Sequence, residues 1–123
     1  MTHLDTNFLI SAIQTGSAEA GKVNAWLTTK EPLGISAVAW AEFFCGPLSA
    51  QAELMARKMF RDVEPFSGHD AELAADLFNK TGRRSKTLAD CMIAAVAIRC
   101  GAKLATVNTT DFRPFASHGL SLA

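Results

Sequence analysis

Three things are missing from this sequence, and each absence removes a class of protein. The first is a cysteine pattern. Cys45, Cys91 and Cys100 are three in number, and none belongs to a CxxC or Cys/His ligand spacing. Neither a disulfide framework nor a structural zinc site is expected. They read as buried, reduced thiols of a cytoplasmic protein. The second is net charge. Lysine plus arginine total 12 and aspartate plus glutamate total 12, a formal balance of zero. No global field draws nucleic acid, which argues against a simple electrostatic DNA binder. An enzyme gripping RNA through a local patch and metal ions stays open. The third is a long apolar run. Cys91–Ile98 falls far short of the ~18 residues that suggest a membrane span. His3 and Asp5 interrupt the start before an apolar stretch builds up, so no leader is expected. His3, His69 and His118 are scattered and receive no role. With no repeat, low-complexity segment or linker, 123 residues that are 49% hydrophobic predict one domain, 1–123, with a real core.

What is present is organised around Thr87–Phe112. Thr87 can cap a helix, with Asp90 three residues on as a capping box allows. Cys91–Ile98 is apolar at every position, which marks a buried helix. Gly101 suits the left-handed position beyond a helix end. Lys103–Val107 reads as a strand, and Asn108-Thr109-Thr110-Asp111 as an acidic loop leaving it.

Upstream, Thr2-His3-Leu4 is a short strand, followed by Asp5 and an apolar helix from Phe8. Ser17, Ser36 and Ser49 can each cap a later helix, and Ser67 with Asp70 can form a capping box. Leu33-Gly34-Ile35 and Val63–Phe66 read as extended segments, Asn79–Lys86 as a basic loop, and Leu120-Ser121-Leu122 as an edge strand. Strands alternating with helices predict an α/β fold, a short, mostly parallel sheet flanked by helices on both faces.

Four carboxylates stand apart: Asp5, Glu42, Asp90 and Asp111. Asp5 alone reads as a helix N-cap, but a strand, a carboxylate at its end and a helix recur near Asp111. Glu42 lies mid-helix, where the other residues from Ala37 to Cys45 are apolar. A glutamate there is expected to face a polar cleft or an ion rather than bulk water. Strands of a parallel sheet point one way, so Asp5 and Asp111 should emerge at one edge. Carboxylates that close repel, and without a counter-charge at least one takes up a proton. A divalent cation resolves the conflict, and magnesium or manganese suits a partly open oxygen cluster. The chemistry is then metal-assisted phosphodiester hydrolysis. Arg83, Arg84 and Lys86 of the basic loop, with Lys80, are placed to hold a nucleic-acid backbone, although a solvated charged loop is the default reading.

The blocks L-D-T-N (Leu4–Asn7), A-E-F (Ala41–Phe43), A-D-C-M-I-A-A (Ala89–Ala95) and N-T-T-D-F (Asn108–Phe112) resemble the signature of PIN-domain ribonucleases. Within that group the chain is most similar to VapC-type toxins of bacterial toxin–antitoxin pairs. The resemblance implies that Asp5, Glu42, Asp90 and Asp111 bind magnesium or manganese and activate water for in-line attack, with Thr6 and Asn108 orienting them. It also implies endonucleolytic cleavage of a structured RNA such as tRNA or ribosomal RNA, a homodimer, and a cognate antitoxin facing the helix pair Ala37–Phe60. Many relatives carry an extra acid two positions beside the one matching Asp90. Here Met92 stands two beyond it, so no second metal is assigned. A receiver-type signalling domain would need an aspartate ending the third strand, where Phe66-Ser67 stands, and a lysine where Asn108 stands. A non-catalytic module of the same fold is the other alternative.

Overall fold

The computed structural model describes residues 1–123. Four short strands, β1 (Thr2–Leu4), β2 (Leu33–Gly34), β3 (Lys103–Ala105) and β4 (Ser121–Leu122), form one sheet in the order β2-β1-β3-β4. Every pairing is parallel. Seven helices accompany them: α1 (Thr6–Ala12), α2 (Ala18–Thr28), α3 (Ala37–Cys45), α4 (Ala50–Met59), α5 (Gly68–Lys80), α6 (Leu88–Arg99) and α7 (Thr109–Phe112). All of β1 is buried, although its side chains alternate between faces, so both faces of the central strand are covered, as parallel sheets require. No helix is long and apolar enough to cross a membrane.

The connectivity matters for the site. From β1 the chain crosses to β2 on one side, then returns past β1 to β3 on the other. The strand order therefore reverses at the β1–β3 pair. Beyond the C-terminal ends of such a pair the connections diverge and leave a crevice.

Local chemistry sets most boundaries. Ser17, Ser36, Ser49 and Ser67 each accept the amide three residues on, and Asp70 completes the box with the Ser67 amide. Each such cap contributes about 1 kcal/mol. α6 ends in a Schellman turn. Gly101 adopts φ +63°, its amide donates to Ile98 O, and the Ala102 amide donates to Ala97 O.

α6 is the core's spine. Cys91, Ile93, Ala94, Ala95, Val96 and Ala97 are buried, while Met92 and Ile98 are only partly so. Its small residues let α5 lie along it in the most extensive helix pairing of the molecule. An ion cluster ties the two helices together. Arg99 Nε donates to Asp70 Oδ1 at 2.6 Å, and its other nitrogens reach Glu64 Oε1 at 3.0 Å and Pro65 O at 3.1 Å. Burial works against a charged Asp70, but the Arg99 guanidinium and the Ser67 donors outweigh it and hold the carboxyl below its ordinary range.

Several expectations need correction. Thr87 does not cap α6. Its hydroxyl donates to Arg84 O at 2.8 Å, because a 3₁₀ turn over Ser85–Thr87 precedes the helix. The segment 79–86 is not all loop, since α5 runs on to Lys80, whose ammonium pairs with Asp76 at 2.9 Å. Val63–Phe66 makes a single bridge, Glu64 to Ser36, rather than a strand. β3 stops at Ala105 instead of Val107, and Asp111 belongs to a short helix instead of a loop. Of the thiols only Cys91 is buried. Cys45 is exposed and Cys100 half-buried.

Candidate active site

Asp5 follows β1 directly and is 4% exposed. It caps α1, with Oδ1 accepting the Thr6 amide at 2.8 Å. Its second oxygen, Oδ2, accepts the Thr106 hydroxyl at 2.9 Å. The cap reading of this residue therefore holds. Register explains the bond from Thr106. Leu4 pairs with Ala105, and the Asp5 amide donates to Ala105 O at 2.9 Å, so the next residues along the two strands stand side by side.

Glu42 projects from the middle of α3. Thr6 links it to α1, donating its hydroxyl to Glu42 Oε1 at 2.9 Å and toward Ala39 O at 3.3 Å. Glu42 is more exposed than its apolar neighbours suggested. Asp90 occupies the first turn of α6, partly buried, and Asp111 the first turn of α7, exposed.

Asp90 and Asp111 line an all-polar cleft of about 720 Å³ whose other walls are Arg83, Arg84, Ser85, Lys86 and Thr87. The basic segment is therefore beside the acids, carried there by the turn after α5, where Gly82 and Arg83 both take positive φ. Arg83 also bonds Asn79 Oδ1. Lys80 does not line the cleft.

The electrostatics tie the acids together. Burial first, then the charges of Asp5, Asp111 and Glu42, push the Asp90 carboxyl up to about 6. Burial also raises Asp5, opposed by its bonds from Thr106 and Thr6 and reinforced by Glu42 and Asp111. No salt bridge in the molecule involves any of the four. Buried Asp70 and half-buried Glu64, by contrast, are both paired to Arg99.

The donor set is entirely oxygen. No three of the acids approach closely enough to form a ready-made ligand cage. Oxygen donors of this kind suit hard divalent cations such as magnesium or manganese rather than a metal that prefers nitrogen or sulfur. The carboxylates that would face such an ion are Asp5, Asp90, Asp111 and Glu42, whose charges act together on Asp90.

Of the two residues expected to orient the acids, Thr6 donates its hydroxyl to one of them, Glu42. Asn108 instead donates its main-chain amide to Thr106 Oγ1 at 3.0 Å. Sequence reasoning missed Thr106. It looked like one more strand residue, and only the parallel register reveals its neighbour.

A family model described as the PIN domain matches residues 3–116. No curated protein matches the chain by sequence. Among solved structures, FitAcB from Neisseria gonorrhoeae superposes with TM-score 0.73 at 25% identity, over 100% of this chain and 97% of its own. A toxin-antitoxin complex from Klebsiella pneumoniae gives 0.74 at 28%, over 91% and 90%. VapC20 of Mycobacterium tuberculosis, a sarcin-ricin loop cleaving toxin, shares the fold with TM-score 0.72 at 17% identity, over 100% and 98%. With the family model spanning nearly the whole chain and the acidic crevice lying where the strand order reverses, this protein belongs to the PIN-domain family.

Proposed function

We propose that the chain is a magnesium- or manganese-dependent endoribonuclease, acting in the cytoplasm as the toxin of a toxin–antitoxin pair on a structured RNA. One observation carries the reading. Four mutually repelling carboxylates lack any cationic partner, at a sheet crevice whose facing wall is basic. A bound divalent ion would supply a water of lowered pKa and offset charge on the phosphate. The chain's own residues do the rest. Asp5, Asp90 and Asp111 would provide the anionic oxygens, and Glu42, anchored by the Thr6 hydroxyl, can accept a proton from the attacking water. Arg83, Arg84 and Lys86 hold RNA phosphates on either side of the scissile bond, which orients it for in-line attack.

The antitoxin, expected at the helix pair Ala37–Phe60, is proposed to dock instead on an apolar groove of about 450 Å³ to which only α4 of that pair contributes, where Ala12, Ile13, Val23, Leu27, Met55 and Met59 line the space between α1–α2 and α4. Leu27 and Met55 there are 52% and 40% exposed, so the groove offers apolar side chains for a partner to cover. The relative from Klebsiella pneumoniae is a toxin–antitoxin complex. Dimerisation belongs to the same reading and is checked by mass in solution.

The test is incubation of the purified protein with total cellular RNA, with magnesium or manganese, with chelator, and beside Asp111→Asn. Discrete fragments should appear only with wild type and metal. Intact RNA in every lane, from protein shown to be free of any partner, would overturn the proposal.

A further inference from the structure

We propose that Thr87 tells ribose from deoxyribose in the acidic cleft: its hydroxyl oxygen accepts the proton of a 2′-hydroxyl on the bound strand. This rests on the ribonuclease reading above and names how that site selects RNA.

The cleft is lined by Arg83, Arg84, Ser85, Lys86 and Thr87 together with Asp90 and Asp111. Its three cations can only donate hydrogen bonds, and they suit phosphate oxygens, which only accept. DNA and RNA carry the same phosphates, so that grip does not separate them. The group that does is the 2′-hydroxyl, which donates as well as accepts.

Thr87 stands where the wall changes sign. Lys86 precedes it, and Asp90 follows three residues on in the same cleft. A strand held by the cations, with a phosphate at the acids, passes its sugars between the two. There Thr87 presents an acceptor. Its hydroxyl proton is already engaged, directed at Arg84 O at 2.8 Å, the carbonyl that also takes the Thr87 amide at 2.9 Å. A carbonyl can only accept, so what Oγ1 has left is its lone pairs. A threonine at a helix start commonly spends one of these on an amide of the first turn. Here α6 has no side-chain cap, and that capacity is unspent. Cys91 Sγ lies 4.0 Å from Oγ1, and a thiol is a weak donor. The side chain is half-buried and β-branched, with few χ1 choices, so the oxygen keeps its aim. Ser85 is exposed, and its hydroxyl is free to turn and donate to phosphate, which makes it indifferent to the sugar.

The experiment is fluorescence anisotropy with two labelled single strands, oligouridylate and its 2′-fluoro analogue, in chelator so that neither is cut. Fluorine keeps the base, the phosphate and the sugar pucker but has no proton to donate. The proteins are wild type, Thr87→Val, Thr87→Ala and Thr87→Ser. Wild type should bind oligouridylate about 3–10-fold more tightly than the analogue, the worth of one hydrogen bond. Val and Ala should bind the two strands alike, with the analogue held as well as by wild type, and Ser should restore the preference. A damaged fold would weaken both strands together, and the two replacements differ enough in shape that a failure of one leaves the other to decide. Equal affinity of wild type for the two strands would overturn the role of Thr87 while leaving cleavage of total RNA to stand. A preference kept in Val or Ala, or lost in Ser, would overturn it too. Wild type that binds neither strand would bring down the RNA-binding reading of the cleft, and this proposal with it.

Discussion

Replacing Asp90 with asparagine should stabilise the metal-free protein while removing its activity. Asp90 has its pKa raised from the ordinary 3.8 to about 6. At 1.36 kcal/mol per unit this corresponds to about 3 kcal/mol of disfavoured charge. The side chain is only partly buried, so solvent screening reduces the figure to roughly 1–2 kcal/mol. The direction follows from linkage. A carboxyl whose folded pKa lies above its unfolded one binds more protons in the native state between the two values. Its penalty is absent below pH 3.8, grows through the window, and is complete above pH 6. Asparagine keeps the shape and never carries the charge. In chelator at pH 7.5, Asp90→Asn should melt roughly 3–10 °C above wild type, as about 1–2 kcal/mol does in a domain of this size. At pH 4 the gap should close. Manganese at 100 times its dissociation constant should then lift wild type by about 2.7 kcal/mol and reverse the order. Thermal melts by circular dichroism suffice. A variant no more stable than wild type at pH 7.5, or a gain that persists at pH 4, would refute the claim that burial and the neighbouring acids penalise the Asp90 charge.

Arg83→Ala combined with Arg84→Ala should weaken RNA binding and flatten the plot of log affinity against log salt by about 1 for each phosphate left without its arginine; a salt slope equal to wild type would return this segment to a merely solvated role. Arg99→Ala should cost about 2–4 kcal/mol in urea denaturation, because it leaves the fully buried Asp70 carboxylate with only its Ser67 donors. A loss below about 1 kcal/mol would show that the cluster behaves as a surface ion pair.

Much of the architecture was legible because its signals are local. Four serine caps, the glycine after α6 and the unbroken apolar run of that helix act through residues a few positions apart, so sequence spacing carries them. The helix starts at Ser17, Ser36, Ser49 and Ser67 follow from this. The reading of Thr87 failed for a physical reason. A 3₁₀ turn offered its hydroxyl a nearer acceptor, Arg84 O, and competition between two local bonds is not visible in spacing. The extended segment Val63–Phe66 does not join the sheet, because an extended stretch becomes a strand only where a neighbour's ladder continues, and here the pairing stops at the single bridge to Ser36.

The four acids show where the two kinds of information divide. Sequence alone picked out Asp5, Glu42, Asp90 and Asp111, since acids that end strands or interrupt apolar helices are costly and rarely kept without use. It also placed the cations of 83–86 next to the Asp90 helix by simple chain order. What only the tertiary structure decided is everything that depends on register and on chain reversal: that the strand order turns back between β1 and β3, that Asp90 and Asp111 share a cleft with Arg83, Arg84 and Lys86, and that Thr106 stands beside Asp5. Those pairings join residues as much as 101 positions apart, and no local preference can specify which of two parallel strands' ends will meet.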